Sequence, residues 1–89
     1  MLDQLKTKPK VVGVKQTRKT VLAGEAAEVF VARDAESRVV APILTACEQA
    51  GLSVTWFDTM SELGKAFGIG VGAATAAIIN SESGIPNSE

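Results

Sequence analysis

Glu28-Val29-Phe30-Val31-Ala32 is a β-branched and aromatic run of strand length. It leaves through a polar stretch, Arg33-Asp34-Ala35-Glu36-Ser37, and a helical pattern lies on either side of it. Downstream, Val40, Ile43, Leu44 and Cys47 recur at three- and four-residue spacing, which predicts a helix to about Ala50, closed by Gly51. Pro42 must lie in the first turn of that helix or kink it, so its start is placed near Arg38–Val40. Upstream, Val14, Thr17 and Val21 share one face of a shorter helix that runs through Leu22, with Gly24 as its stop.

The alternation continues outward. Lys10 to Val14 reads as a short strand ending at Gly13 or just after it. Leu52-Ser53-Val54-Thr55-Trp56-Phe57 reads as a third strand, with Leu52, Val54 and Trp56 on one face; Trp56 is most simply core, the alternative being a partly exposed indole that stacks a base or meets a partner. Thr59-Met60-Ser61-Glu62 fits a capping box that opens a helix with Met60, Leu63 and Phe67 as its buried stripe and Gly68 as its end. After the glycine-rich Ile69-Gly70-Val71-Gly72, Ala73 to Ile79 is a small-residue strand suited to the middle of a sheet. Residues 1–8 read as one more short helix, stopped at Lys8-Pro9. The predicted fold class is α/β: a three-layer α-β-α sandwich with a four-stranded mixed sheet. Residues 1–80 form one domain in this reading, and the polar residues 81–89 a disordered tail.

Composition removes whole classes of function. The chain has no histidine and one cysteine, so neither a Cys/His or Ser/His nucleophilic site nor a thiolate/imidazole zinc site can be assembled. An enzyme is not expected, nor a metal or cofactor. Cys47, on its apolar stripe, reads as a small core residue. Gly68, Gly70 and Ala73 satisfy G-x-G-x-x-A, but a dinucleotide fingerprint needs a strand before it and a helix after it, and the order here is reversed. No apolar run is long enough to span a membrane or act as a signal peptide, and a lone cysteine suits a reducing, cytoplasmic setting.

Charge is unevenly distributed. Residues 1–20 hold six cations against Asp3, a net +5, whereas the remainder holds three cations and nine anions, a net −6. Such asymmetry points to a polyanion-binding end on an acidic body. Within the basic segment, Gly13-Val14-Lys15-Gln16-Thr17-Arg18-Lys19 sets Lys15, Arg18 and Lys19 on one helix face just after a glycine. A helix start with cations and an amide is suited to phosphates and base edges. The plain alternative is a solvated basic face.

Three motifs then occur in order: Gly13-x-Lys15-Gln16-Thr17-x-Lys19, Leu63-Gly64-Lys65-Ala66-x-Gly68 and Val71-Gly72-Ala73-Ala74-x-Ala76-x-Ile78. Over roughly residues 8 to 80 the chain resembles the kink-turn-binding family typified by archaeal ribosomal protein L7Ae, and most of all its short bacterial members. The resemblance implies an α-β-α sandwich that binds sharply bent RNA duplexes with tandem sheared G·A pairs. It implies that Gly13, Lys15, Gln16 and Lys19, with Arg18 beside them, meet the widened major groove and its phosphates. It also implies that Ile69, Gly70, Val71, Gly72 and Ala73 cover flipped-out loop nucleotides. Archaeal members carry Asn and Glu at the positions of Lys15 and Gln16, whereas bacterial relatives look like this sequence there. They also carry an acid at Gly70 and Ala at Gly72. The expected partner is therefore structured RNA, with the ribosome as one candidate setting, bound by a monomer. The competing expectation is a protein-interaction module on the same fold.

Overall fold

The computed structural model describes residues 9–79. The helix expected over residues 1–8 and the tail expected beyond residue 80 lie outside these residues. The described elements are β1 (Lys10–Val12), α1 (Val14–Leu22), β2 (Ala26–Ala32), α2 (Ser37–Ala50), β3 (Val54–Phe57), α3 (Met60–Ala66) and β4 (Thr75–Ile79). The four strands make one sheet in the order β1-β4-β2-β3. β2 and β3 are parallel, while β4 is antiparallel to both β1 and β2. The sheet is therefore mixed, as expected, with the last strand inserted between the first two.

Side-chain alternation along β2 divides the core into two layers. Val29 and Val31, with Ala77 of β4, pack under Val21 of α1 and Val40, Ile43, Ala46 and Cys47 of α2. Phe30 and Ala32, with Ala76 and Ile78, pack against Leu63, Ala66 and Phe67 on and just after α3. The second layer is keyed by an edge-to-face contact between Phe30 and Phe67, with ring centroids 5.2 Å apart. Two helices thus cover one face and α3 the other, which is the expected three-layer sandwich.

Several local expectations need correction. The second strand begins at Ala26, ahead of Glu28, and the fourth at Thr75, after Ala73. α2 starts at Ser37 and carries Pro42 as its sixth residue, beyond the first turn. Pro42 is exposed, so the carbonyl its ring cannot serve lies on the solvent side of the helix. β3 is shorter than expected, four residues at the sheet edge, and Trp56 is 40 % exposed there instead of lying in the core. An edge strand has one neighbour, and the helices do not reach over this residue. Met60 is also 37 % exposed, because as the first residue of α3 it lies at the rim of the layer that buries Leu63 and Phe67.

Cys47 is buried as expected, and burial pushes its thiol up from its ordinary pKa of 9.0. The unfolded chain therefore ionises first, so this contribution to stability is intact below about pH 9 and is lost as pH rises beyond it. Urea midpoints measured at pH 8 and pH 10 should fall at the higher pH, and Cys47→Ala should show a smaller drop.

Candidate nucleic-acid interface

β1, β2 and β3 all run toward the same end of the sheet, and β4 runs away from it. Each of the first three strands is followed by a helix, so α1, α2 and α3 all begin at that end. Three helix N-termini therefore share one rim, the end of an α/β sheet where ligands generally bind.

The α1 start is built on Gly13. Its backbone stands at φ 107 and ψ 154, a combination essentially restricted to glycine. Its N–H donates to the Thr75 carbonyl at 2.9 Å, and its own carbonyl accepts from Thr17 N–H at 2.9 Å. β1 is thus stapled to β4 at the residue where the chain turns into the helix. No side chain caps α1, and its first turn holds no acid, so the N–H groups of that turn face outward. Lys15, Gln16, Arg18 and Lys19 are all exposed, while Thr17 and Val21 are buried beneath them. Among the described residues, none of these three cations joins an ion pair. Arg18 leans toward α2, where with Leu22, Arg38, Pro42 and Thr45 it lines a groove of ≈ 470 Å³.

The glycine-rich segment folds back along α3. Ile69 N–H donates to the Gly64 carbonyl at 3.0 Å, and Ala73 N–H to the Met60 carbonyl at 3.1 Å. This return brings Gly72 and Ala73 to the start of α3 and leaves Ile69 and Gly70 farther along it. The five predicted residues consequently divide. Ala73 is buried and Ile69 half-buried against the α3 layer, whereas Gly70, Val71 and Gly72 are exposed, Val71 at 72 %. The Gly13 junction meets this segment through the next residues, since Thr75 accepts from Gly13 and Ala74 accepts from Ala32 N–H at 2.9 Å. The two predicted regions thus occupy one rim, joined by backbone hydrogen bonds.

Three features of the rim escape a reading by sequence pattern. Gly64 sits mid-helix, where a Cβ would run into the Val71 carbonyl oxygen and lie 3.2 Å from Gly72 Cα, so its missing side chain seats the returning segment. Asp34 accepts from Met60 N–H at 2.8 Å and ties the β2–α2 loop to the α3 start, alongside the predicted Thr59 cap, whose oxygen accepts from Glu62 N–H at 3.0 Å. Arg33 lies over the Trp56 ring with its guanidinium 5.3 Å from the centroid, beside Asp58 at 3.6 Å. Only the glycine had a visible signal, as an interruption within an otherwise helical pattern.

The rim is electrostatically two-sided. Lys15 stands at the α1 start, with Arg18 one turn on and Lys19 in the last turn of that helix, while Asp34, Glu36, Asp58 and Glu62 cluster around the starts of α2 and α3. Arg38 pairs with Glu36 at 3.4 Å and Arg33 with Asp58, so the cations of the acidic side are engaged locally.

Because Gly64 has backbone on its open side, Gly64→Ala should destabilise the fold by about 1–3 kcal/mol through overpacking. Equilibrium urea unfolding measures this, and an unchanged midpoint would mean the segment is not seated on α3 as described.

Comparison with known proteins agrees with this fold. A sequence profile of the ribosomal protein L7Ae/L30e/S12e/Gadd45 family matches residues 2–85. The chain is 52 % identical over 73 residues to RNA-binding protein TTE2299 of Caldanaerobacter subterraneus subsp. tengcongensis, spanning 82 % of this chain and 89 % of that protein. It is 35 % identical over 68 residues to the large ribosomal subunit protein eL8 of Halobacterium salinarum, spanning 75 % of this chain and 57 % of that one. Its fold superposes on the Giardia lamblia 15.5kD RNA binding protein with a TM-score of 0.79 at 26 % identity, covering 88 % of this chain and 69 % of the other. The chain belongs to the ribosomal protein L7Ae/L30e/S12e/Gadd45 family, whose members include proteins named for RNA binding.

Proposed function

We propose that the protein is a non-enzymatic RNA-binding protein that recognises kink-turns with tandem G·A pairs, in ribosomal or ribosome-associated RNA of the cytoplasm. The observation that carries this reading is the shared rim. An uncapped helix start bearing Lys15 and Gln16 lies beside an exposed apolar segment at Val71, fixed to it through Gly13 and Thr75. Gly13 has no side chain, so nothing there keeps a base edge from the backbone. Lys15 is suited to guanine O6 and N7, and Gln16 both donates and accepts at a base edge. Lys19 and Arg18, further along α1, suit phosphates. Val71, flanked by Gly70 and Gly72, offers a surface for an extruded base, with half-buried Ile69 and buried Ala73 as its anchors. A regular A-form helix hides its major groove from such side chains, so a distorted RNA is the better match.

A second reading, a protein-interaction module, is favoured by one feature: the groove between α1 and α2, where Leu22 is 58 % exposed. Pull-down before and after ribonuclease treatment separates the two, since partners that survive digestion favour the second.

Gel-shift titration with a kink-turn RNA and a control lacking the G·A pairs should show clear preference for the former. Equal, weak binding to both would sink the proposal. Lys15→Ala is expected to cost roughly 1–3 kcal/mol, mainly in discrimination between the two RNAs. Lys19→Ala should weaken both complexes more evenly and lower the salt slope by about one.

A further inference from the structure

Trp56 is an anomaly in its own sheet. The three phenylalanines are buried or half-buried around α3, yet the one tryptophan lies 40 % exposed on the edge strand. Its ring is partnered by Arg33, whose backbone N–H is fixed to the Phe57 carbonyl at 2.8 Å and whose side chain is 61 % exposed. The stacked pair is thus anchored at its base and open at its tip. Both residues stand at the carboxyl ends of their strands, on the same rim as Gly13 and Val71. β3 is three strand spacings from β1, so the pair lies about 15 Å across the sheet from the α1 start.

We infer that the Arg33–Trp56 stack is an additional nucleobase-binding platform, which holds an unpaired base of the same RNA at the far side of the rim. This rests on the RNA-binding reading above and extends it to residues outside the Gly13 and Val71 regions. The chemistry selects a base over a phosphate. Asp58 lies 3.6 Å from the Arg33 guanidinium, and its carboxylate repels a phosphate but accepts a hydrogen bond from a base amino group such as cytosine N4. A guanidinium at cation–π distance from an indole gives a cationic, weakly hydrated aromatic surface, and both groups stack bases in single-stranded RNA.

The chain has one tryptophan and no tyrosine, so Trp56 reports on its own site. Full-length protein is titrated with the kink-turn RNA, following both intrinsic emission and gel shift, for wild type, Arg33→Ala, Trp56→Phe and Trp56→Leu. Saturation should quench wild-type emission. Trp56→Leu should lose about fivefold or more in affinity, the lower end of base–aromatic stacking, at an unchanged salt slope. Trp56→Phe should keep most of the affinity, and Arg33→Ala should reduce both affinity and quenching. Circular dichroism matched across the variants excludes loss of fold as the cause. Emission unmoved by an RNA that does shift the protein, together with wild-type affinity in Trp56→Leu, overturns the platform alone. Failure of the wild type to shift the kink-turn RNA overturns the RNA-binding reading and the platform with it.

Discussion

β4 is the last strand in sequence but pairs with the first and the second, antiparallel to both, and the geometry of the rim follows from that insertion. With β4 running away from the end toward which β1, β2 and β3 point, the residues before it must arrive where the other three strands leave. The α1 start, the β2–α2 loop and the glycine-rich segment then have no choice but to meet. Composition makes the insertion possible. Ala76 and Ala77 are fully buried on opposite faces of β4, and their small side chains let helical layers sit close on both sides. Larger residues here would push one layer away and loosen the hydrogen bonds from Gly13 to Thr75 and from Ala32 to Ala74.

The rim itself is assembled largely from main chain. Gly13 supplies a backbone conformation closed to other residues, Gly64 a gap for the Val71 carbonyl, and Gly72 a position where a Cβ would lie within 3.3 Å of the Met60 backbone. These glycines convert what composition alone would class as a flexible loop into a segment held at both ends by Ile69 and Ala73 N–H donors. Gly70, by contrast, has open space where its Cβ would be, so its glycine is not required by packing. Fixed donors and a fixed apolar contact reduce the ordering cost of binding, which is where a small protein gains affinity without large area.

Much of this was legible in the sequence because period and punctuation are local. The stripes Val40–Ile43–Cys47 and Leu63–Phe67, the Thr59 cap and the stops at Gly24 and Gly51 each depend on neighbours within a turn or two, and each appears in the structure. What failed depended on position in the sheet. Strand pattern places Trp56 with Leu52 and Val54 but cannot tell an edge strand from a central one, and only the edge leaves an indole uncovered. Met60 was misjudged for the same reason: its spacing is right, but the helix begins at the rim. Pro42 misled because proline's cost falls on a carbonyl one turn earlier, and that carbonyl is harmless where the helix faces solvent. The Asp34–Met60 link joins residues 26 apart and has no local signature. The resemblance to a known family located the two candidate regions, while their convergence required the strand order.

An acidic protein with a basic rim face is less paradoxical once distance is considered. Glu25 and Glu28 at the start of β2, and Glu48 near the end of α2, lie at the opposite end of the sheet. A seven-residue strand is about 20 Å long, well beyond a Debye length of about 8 Å at physiological ionic strength. Those charges scarcely reach Lys15 at the α1 start, whereas Lys19, in the last turn of α1, is near Glu25, whose N–H donates to the Thr20 carbonyl at 3.0 Å, so the chain's net charge of −1 says little about the field at the α1 start. The acids that do matter are those on the rim, and they sit on the α2–α3 side, two of them paired with Arg33 and Arg38. Under the RNA-binding proposal, a polyanion approaching this surface would be steered to one side by its phosphates and would offer the other side a base, so the division of charge would set the orientation of the strand before any base is read.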